Sequence, residues 1–306
     1  MDVLINILEQ GLLFSIVAIA VYITFKILDF PDMSVDGTFP MGAAISATLL
    51  VQGSNPWFSI IAAAVGGGIA GAITGILHVK LKIDNLMAGI LVMIGLYSVN
   101  LRIMGKANVP LFNVNNAFKL NVPAIVIIGV ILLIVKILLD LYLKTKSGFL
   151  LIAVGDNEQV VSSLGVNKDI VKVLGLTISN ALAATAGAIT AQYQGFADVG
   201  MGTGTVVMGL AAVIIGASLF ERFTFIKATT LSIFGAIIYK GAIALVLKYG
   251  AIIGLTANDL KLMTAIIVVV ALCSNNGIFK FKSKRKKLVE GGASENVKSE
   301  TTIQSV

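Results

Sequence analysis

Few side chains in this sequence could make or break bonds, and their spacing excludes most such chemistry. Cys273 is the single cysteine and His78 the single histidine, so no disulfide within the chain and no cysteine framework for a metal can form. HExxH, CxxC and Gly-x-Ser-x-Gly patterns are absent, as is the Gly-x-x-x-x-Gly-Lys-Ser/Thr loop that cradles nucleotide phosphates. No catalytic residue, metal ligand or cofactor follows from the residues. What remains is a set of polar groups in apolar surroundings, where an ionisable side chain costs at least about 2.5 kcal/mol and needs a reason. Asp32, Asp36 and Asp198 stand beside Gly/Thr pairs, and one apolar run carries Ser179, Asn180, Thr185, Gln192 and Gln194 without a charge. Lys26, Lys136, Asp140 and Lys240 also fall within apolar runs. Snorkelling explains Lys26, and Lys136 can pair with Asp140 at i, i+4. Lys240 either lines a cavity or, as the reading preferred here, reaches the outer headgroups.

The elements that must hold these groups are membrane helices. The chain is 57% hydrophobic and 13% charged, against about 25% charged in ordinary soluble domains. Gly37 to Leu77 contains no Asp, Glu, Lys or Arg, and a helix needs about 20 apolar residues to cross the hydrocarbon while satisfying its own backbone. The apolar runs predict an all-α, polytopic membrane protein with about nine spans: 10–28, 39–53, 57–77, 85–101, 123–143, 173–194, 205–220, 226–247 and 260–277. The second and seventh are short for a full crossing. Residues 1–279 form the membrane domain, and 280–306 a basic, then polar tail expected to be disordered. Lys280, Lys282, Lys284, Arg285, Lys286 and Lys287 follow the last span, which puts that end in the cytoplasm and the N-terminus outside. His78, Lys80, Lys82, Lys144, Lys146, Lys168 and Lys172 then fall inside; Arg102, Lys106 and Lys119 are an outer exception. Asp2 and Glu9 precede the first run without a basic residue, unlike a cleavable signal peptide. A basic run beside a span reads as a topology signal and anionic-lipid anchor rather than a nucleic-acid site.

Gly37-Thr38-Phe39-Pro40-Met41-Gly42-Ala43-Ala44 is echoed by Gly204-Thr205-Val206-Val207-Met208-Gly209-Leu210-Ala211. The echoes open spans two and seven, which run in opposite directions, as in an inverted repeat whose discontinuous helices meet near the midplane. The pathway candidates are Asp32, Asp36, Gly37, Thr38, Asn180, Gln192, Asp198, Gly204 and Thr205. Tight turns, helix capping and close packing would explain the same residues. Gly66, Gly67, Gly68, Gly71 and Gly75 predict close helix packing alone.

Between Lys146 and Lys168, Asp156 or Asn157 can cap and Gly165 can end a two-turn helix with apolar Val160, Val161 and Leu164; Asn167 caps the next span. Such a helix either seats in a groove on a partner or lies among headgroups. Ala153-Val154-Gly155-Asp156-Asn157, Leu164-Gly165-Val166-Asn167 and the Ser/Ala/Gly-rich span after them resemble the coupling segment of permease subunits of bacterial ATP-binding-cassette importers, the branched-chain amino acid and ribose permease superfamily. Asp29-Phe30-Pro31-Asp32-Met33-Ser34-Val35-Asp36-Gly37-Thr38-Phe39-Pro40, Gly89-Ile90-Leu91-Val92-Met93 and Arg102 to Leu111 resemble its tryptophan/tyrosine-type uptake permeases. Ile152 stands where the family usually has Arg.

The resemblance covers residues 10–275 and implies a permease in the bacterial inner membrane. It further implies that the chain is no enzyme but passes an amino acid or similar small solute, aromatic by its likeness to the tryptophan/tyrosine-type subgroup, brought by an extracytoplasmic binding protein. ATP-binding-cassette subunits would hydrolyse ATP against Gly155, Asp156, Asn157, Val160, Val161, Leu164 and Gly165, within a coupling segment at 148–172. The membrane core would be a homodimer or pseudo-dimer in the lipid bilayer. An ion-coupled secondary transporter is the alternative, although the spans lack the buried acid and histidine relay that proton coupling uses.

Overall fold

A computed structural model describes residues 2–119, 122–220 and 227–250, together with Leu262, Thr264, Ala265, Ile266, Val268 and Val269. The ninth expected span lies largely, and the basic tail wholly, outside these residues. Ten α-helices and a two-stranded ribbon are described: α1 Asp2–Val21, α2 Val35–Val51, α3 Pro56–Leu81, α4 Asn85–Met104, β1 Asn108–Pro110, α5 Ala124–Tyr142, α6 Lys146–Asp156, α7 Glu158–Ser163, α8 Lys168–Gln194, β2 Phe196–Asp198, α9 Thr205–Phe220 and α10 Ala228–Gly250. Seven segments are long and apolar enough to cross a membrane, and Val35–Val51 is a shorter apolar helix. This is a multi-pass helical membrane protein. The first span starts earlier than its apolar run suggests, because Asp2 and Glu9 are tolerated within α1, which continues as a π-turn over Tyr22–Ile27.

Helix ends follow local chemistry. Asn55 accepts from the Trp57 amide with Pro56 beside it, Asp84 accepts from Leu86, and Asn167 from Asp169; each satisfies an amide that has no partner inside its helix. Gly105 and Gly195 close α4 and α8 at positive φ, where glycine carries no Cβ penalty.

α3 and α8 lie antiparallel, and α2 runs alongside α8. A Cβ at Gly67 or Gly71 would strike the Asn180 or Leu176 carbonyl, at Gly42 the Ala184 carbonyl, and at Gly187 the Phe39 carbonyl. Small residues on both helices therefore let the backbones meet, as the Gly66–Gly75 stripe predicts. α1, α9 and α10 form a second packed group: Gly235 lies against the Ala212 carbonyl, Gly216 against that of Leu231, and the Ser15 hydroxyl reaches the Ile233 carbonyl at 3.4 Å.

One end of the bundle gathers His78, Lys80, Lys82, Lys144, Lys146, Lys168, Lys172 and Lys227 and will be called the basic end. The other holds the ribbon, in which Asn108 pairs with Asp198 and Pro110 with Phe196, antiparallel. Large apolar side chains face outward along α3 (Ile61, Val65, Ile69), α4 (Met87, Leu91, Ile94) and α5 (Val130, Leu133, Ile137), a surface suited to lipid or another apolar chain.

Candidate functional site

Half-way along α8 the structure ties four polar residues into a buried knot. Asn180 lies about 18 Å by helical rise from the Lys168 end of this 27-residue helix. Its amide donates to Asp32 Oδ2 at 2.8 Å, and its Oδ1 accepts from Thr38 at 2.8 Å and Ser34 at 3.1 Å. Asp32 Oδ1 also accepts from the Ser34 amide and hydroxyl at 2.8 and 2.6 Å. All four side chains are buried. Both carboxylate oxygens have donors, which is how a carboxylate is retained in an apolar interior. The chain unwinds between the π-turn and α2 to bring Asp32 there, with Asp29 at φ 52. Gly89 admits this bend, since a Cβ would press on the Met33 amide.

One turn further on, Asp36 begins the join between the two echoed motifs. Its carboxylate accepts from the Gly204 amide, the Thr205 hydroxyl and the Val206 amide, each at 2.8 Å, and so caps the N-terminus of α9, where free amides and the helix dipole favour a negative charge. Pro40 cannot donate to the Asp36 carbonyl, and Gly202 packs tightly against that carbonyl and the proline ring. The 17-residue α2 and 16-residue α9 therefore start side by side and run to opposite ends of the bundle. The short second span and the Gly-Thr echo resolve into this single junction, while the seventh span, expected to be short, reaches 21 residues from Val199 to Leu219 through its Gly-rich entry.

The remaining pathway candidates lie elsewhere. Gln192 is buried; it donates to Ser46 and Ser59 at 3.1 Å and accepts from the Ala117 amide at 3.0 Å, tying the α2/α3 hairpin to the loop after β1. Asp198 caps the turn after β2 through the Gly200 amide at 2.8 Å. Gly37 packs on Met93 and Leu96 while its carbonyl accepts from Asn100 at 3.1 Å. Asp32, Thr38 and Asn180 are thus one group, Asp36, Gly204 and Thr205 a second, with Gln192 and Asp198 apart from both.

At the basic end α6 and α7 form an elbow. Asn157 caps α7 by accepting from the Gln159 amide at 2.9 Å, and Gly165 ends it at φ 74, matching the expected two-turn helix. Val161 is buried, whereas Val160 and Leu164 are exposed with Phe149 of α6, so the apolar edge splits between holding the elbow to the bundle and facing away from it. α6 is absent from the sequence reading, although Thr145 caps it and Leu151 and Val154, spaced i, i+3, are buried. Gly155 lies directly against the Ile27 carbonyl. Glu158 pairs with Lys168 at 2.8 Å and Lys172 at 2.6 Å; these hydrogen bonds hold its carboxyl below the usual glutamate range. Lys172 Nζ is 3.5 Å from His78 Nε2, and the His78 ring meets Phe30 edge-on, centroids 5.2 Å apart. Contacts therefore run from α7 through α8 and α3 to the bend that carries Asp32.

The family model for the branched-chain amino acid transport system / permease component matches residues 3–272. The chain belongs to this permease family. The tyrosine transport system permease protein of Clostridioides difficile (strain R20291) is 49% identical over 94% of this chain and 97% of its own. The ribose import permease of Escherichia coli (strain K12) is 26% identical over 70% of this chain and 69% of its own. Among solved structures, PsaBC from Streptococcus pneumoniae in complex with Fab has the same fold at TM-score 0.51 and 16% identity, covering 89% of this chain and 91% of that one. The permease is thus the membrane component of an ATP-binding-cassette importer, a transport subunit rather than a catalytic one, in a family that works with ATPase and binding-protein partners. Nothing in the comparisons favours the ion-coupled alternative.

Lys240, expected to reach the headgroups, instead places its ammonium 4.6 Å from the centroid of the Phe14 ring. Helical side chains tilt toward the N-terminus of their helix, which for α10 is the Lys227 end, so the ammonium is carried inward. With Asn6, Gln10 and Gly204 it lines a cavity of about 770 Å³. Apolar periodicity does not reveal this cavity; a lysine in the middle of an apolar run is its one trace in the sequence.

Proposed function

We propose that this permease passes an amino acid with an aromatic side chain across the bacterial inner membrane, with tyrosine the first candidate. Two copies would form the membrane core, with ATP hydrolysed on cassette subunits at the basic end and solute delivered by a binding protein at the ribbon end. The basic end is then cytoplasmic, the N-terminus outside and the tail inside, following the lysine asymmetry. Support for tyrosine comes from the 49% identical relative bearing that name.

The observation that carries the coupling reading is the elbow: α7 offers Val160 and Leu164 outward while Gly155 presses on the Ile27 carbonyl at the foot of the π-turn. A push on α7 would reach the Asp32 knot along two routes, through Ile27 and through Lys172, His78 and Phe30. π-turns frequently mark functional positions in helices, and here the turn is the joint between the elbow and the start of α2. Of the pathway candidates, Gly204 and Thr205 stay as wall of the path; Asp32, Gly37, Thr38, Asn180 and Gln192 set the geometry of the helices around it; Asp36 joins the two half-helices; and Asp198 shapes the outer loop.

The test is reconstitution in liposomes with candidate cassette and binding proteins, measuring uptake of labelled tyrosine and tryptophan against leucine and ribose. Uptake of an aromatic amino acid requiring ATP and all three proteins is expected. Uptake that persists without the ATPase and collapses with an ion gradient, or a preference for ribose, would overturn the proposal.

A further inference from the structure

Lys240 sits about 18 Å by helical rise from the first residue of the 23-residue α10, level with the start of α9. Charges within spans are ordinarily paired within the bundle, and Asp140, near the end of α5, is held by Lys136 at 3.0 Å and Lys227 at 2.8 Å. Among the described residues Lys240 makes no ion pair. The Phe14 ring face offsets part of the desolvation of the ammonium without being a counter-ion. Glu9, on the same helix as Phe14, is engaged by the Tyr193 hydroxyl at 2.7 Å.

The cavity beside Lys240 has the mixed lining of a small-molecule site: Asn6, Gln10, Thr203 and Thr264 supply polar atoms, while Val207, Met208 and Ile243 supply apolar surface. Its volume, about 770 Å³, is within the range of such sites, about 300–1,000 Å³. A smaller recess of about 120 Å³ shares Lys240, Gln10 and Met208 with it and extends past Phe14 to Tyr193 and Thr205.

We infer that Lys240 receives the carboxylate of the transported amino acid in this cavity, while Val207, Met208 and Ile243 contact its side chain. Among the described residues no carboxylate pairs with this ammonium, and a carboxylate-bearing solute in the cavity supplies one. The site thus selects for the acid group, which an aromatic amine lacks. This inference rests on the amino-acid reading above, so the experiment separates the two.

The full-length permease in phosphatidylcholine nanodiscs is probed by saturation-transfer NMR with L-tyrosine and with tyramine, for wild type, Lys240→Met, Lys240→Arg and Phe14→Leu, with folding checked by gel filtration and thermal melting. The expected result is a tyrosine signal in wild type, retained in Lys240→Arg and Phe14→Leu and reduced at least tenfold in folded Lys240→Met, with tyramine giving none. Equal tyrosine signals in wild type and Lys240→Met, or tyramine binding as well as tyrosine, would overturn the inference. So would native mass spectrometry showing phosphatidylglycerol retained in a Lys240-dependent way by a wild type that gives no tyrosine signal, which would assign the ammonium to a lipid phosphate. Three-component uptake of tyrosine that is unchanged by Lys240→Met would sink this site alone; no aromatic uptake by wild type would sink the reading beneath it.

Discussion

Asn180 satisfies three neighbours at once, so its removal is expected to cost more than one hydrogen bond. Asn180→Ala takes a donor from the Asp32 carboxylate and the shared acceptor from Thr38 and Ser34. Leaving a charged group underpaired in a dry interior is costlier than losing a neutral pair, and a loss of about 3 kcal/mol is predicted. Thr38→Val removes one donor and is predicted to cost about 1 kcal/mol. Thermal melting in detergent would order the two, and equal melting points for Asn180→Ala and wild type would show that the knot is not holding the bend. Glu158 behaves differently because it is half-exposed. Its hydrogen bonds with Lys168 and Lys172 lower its pKa, so the unfolded chain takes up the proton first. The stabilisation is complete above the ordinary glutamate value of about 4.3 and disappears as pH falls through the lower folded value. Solvent screening keeps it under about 1 kcal/mol. Glu158→Gln should therefore melt slightly below wild type at pH 7, and the two curves should converge in acid; divergence in acid would reverse the assigned sign.

The α6–α7 elbow contains two substitutions with opposite expected signatures. Leu164 is exposed, so Leu164→Asp is predicted to leave melting unchanged while weakening cassette-subunit binding at least about tenfold, or 1.4 kcal/mol. Pull-down with ATP-dependent uptake checks this, and intact coupling in the aspartate variant would remove α7 as the docking element. Gly155 faces inward, where any Cβ would meet the Ile27 carbonyl. Gly155→Val is predicted to retain cassette binding through Val160 and Leu164 yet lose at least about tenfold in uptake, since close-packed interiors transmit such a shift rather than absorb it. The elbow also shows what local pattern conveys. Asn157, Gly165 and Asn167 are legible as caps because capping depends on adjacent backbone. α6 is not legible, because its apolar residues form one unbroken run, Phe149 to Val154, with no helical period, and its buried face depends on Leu151 and Val154 finding the bundle.

For the molecule as a whole, the lysine asymmetry predicts which end faces the cytoplasm. In a Cys273→Ser background, Asn115→Cys near the ribbon should react with an impermeant maleimide in intact cells, and Ser162→Cys in α7 only after permeabilisation. The reverse pattern would invert the proposed topology and move the cassette subunits to the other face. The outward apolar faces of α3, α4 and α5 fit a body embedded in lipid.

The amino-acid sequence by itself determined the membrane class, the ends of most spans, the short second helix and the capped two-turn helix at 158–163. Each depends on chain-local properties: hydropathy over about 20 residues, capping side chains next to their amides, and spacing within a motif. The tertiary structure alone decided that Asp32 meets Asn180, that Asp36 caps the helix beginning at Thr205, and that Lys240 turns inward to a cavity. Those partners are 148, 169 and, for Lys240 and Phe14, 226 residues apart. A hydropathy pattern shows that a helix is buried in the membrane; it does not show which neighbour each of its polar groups will find there.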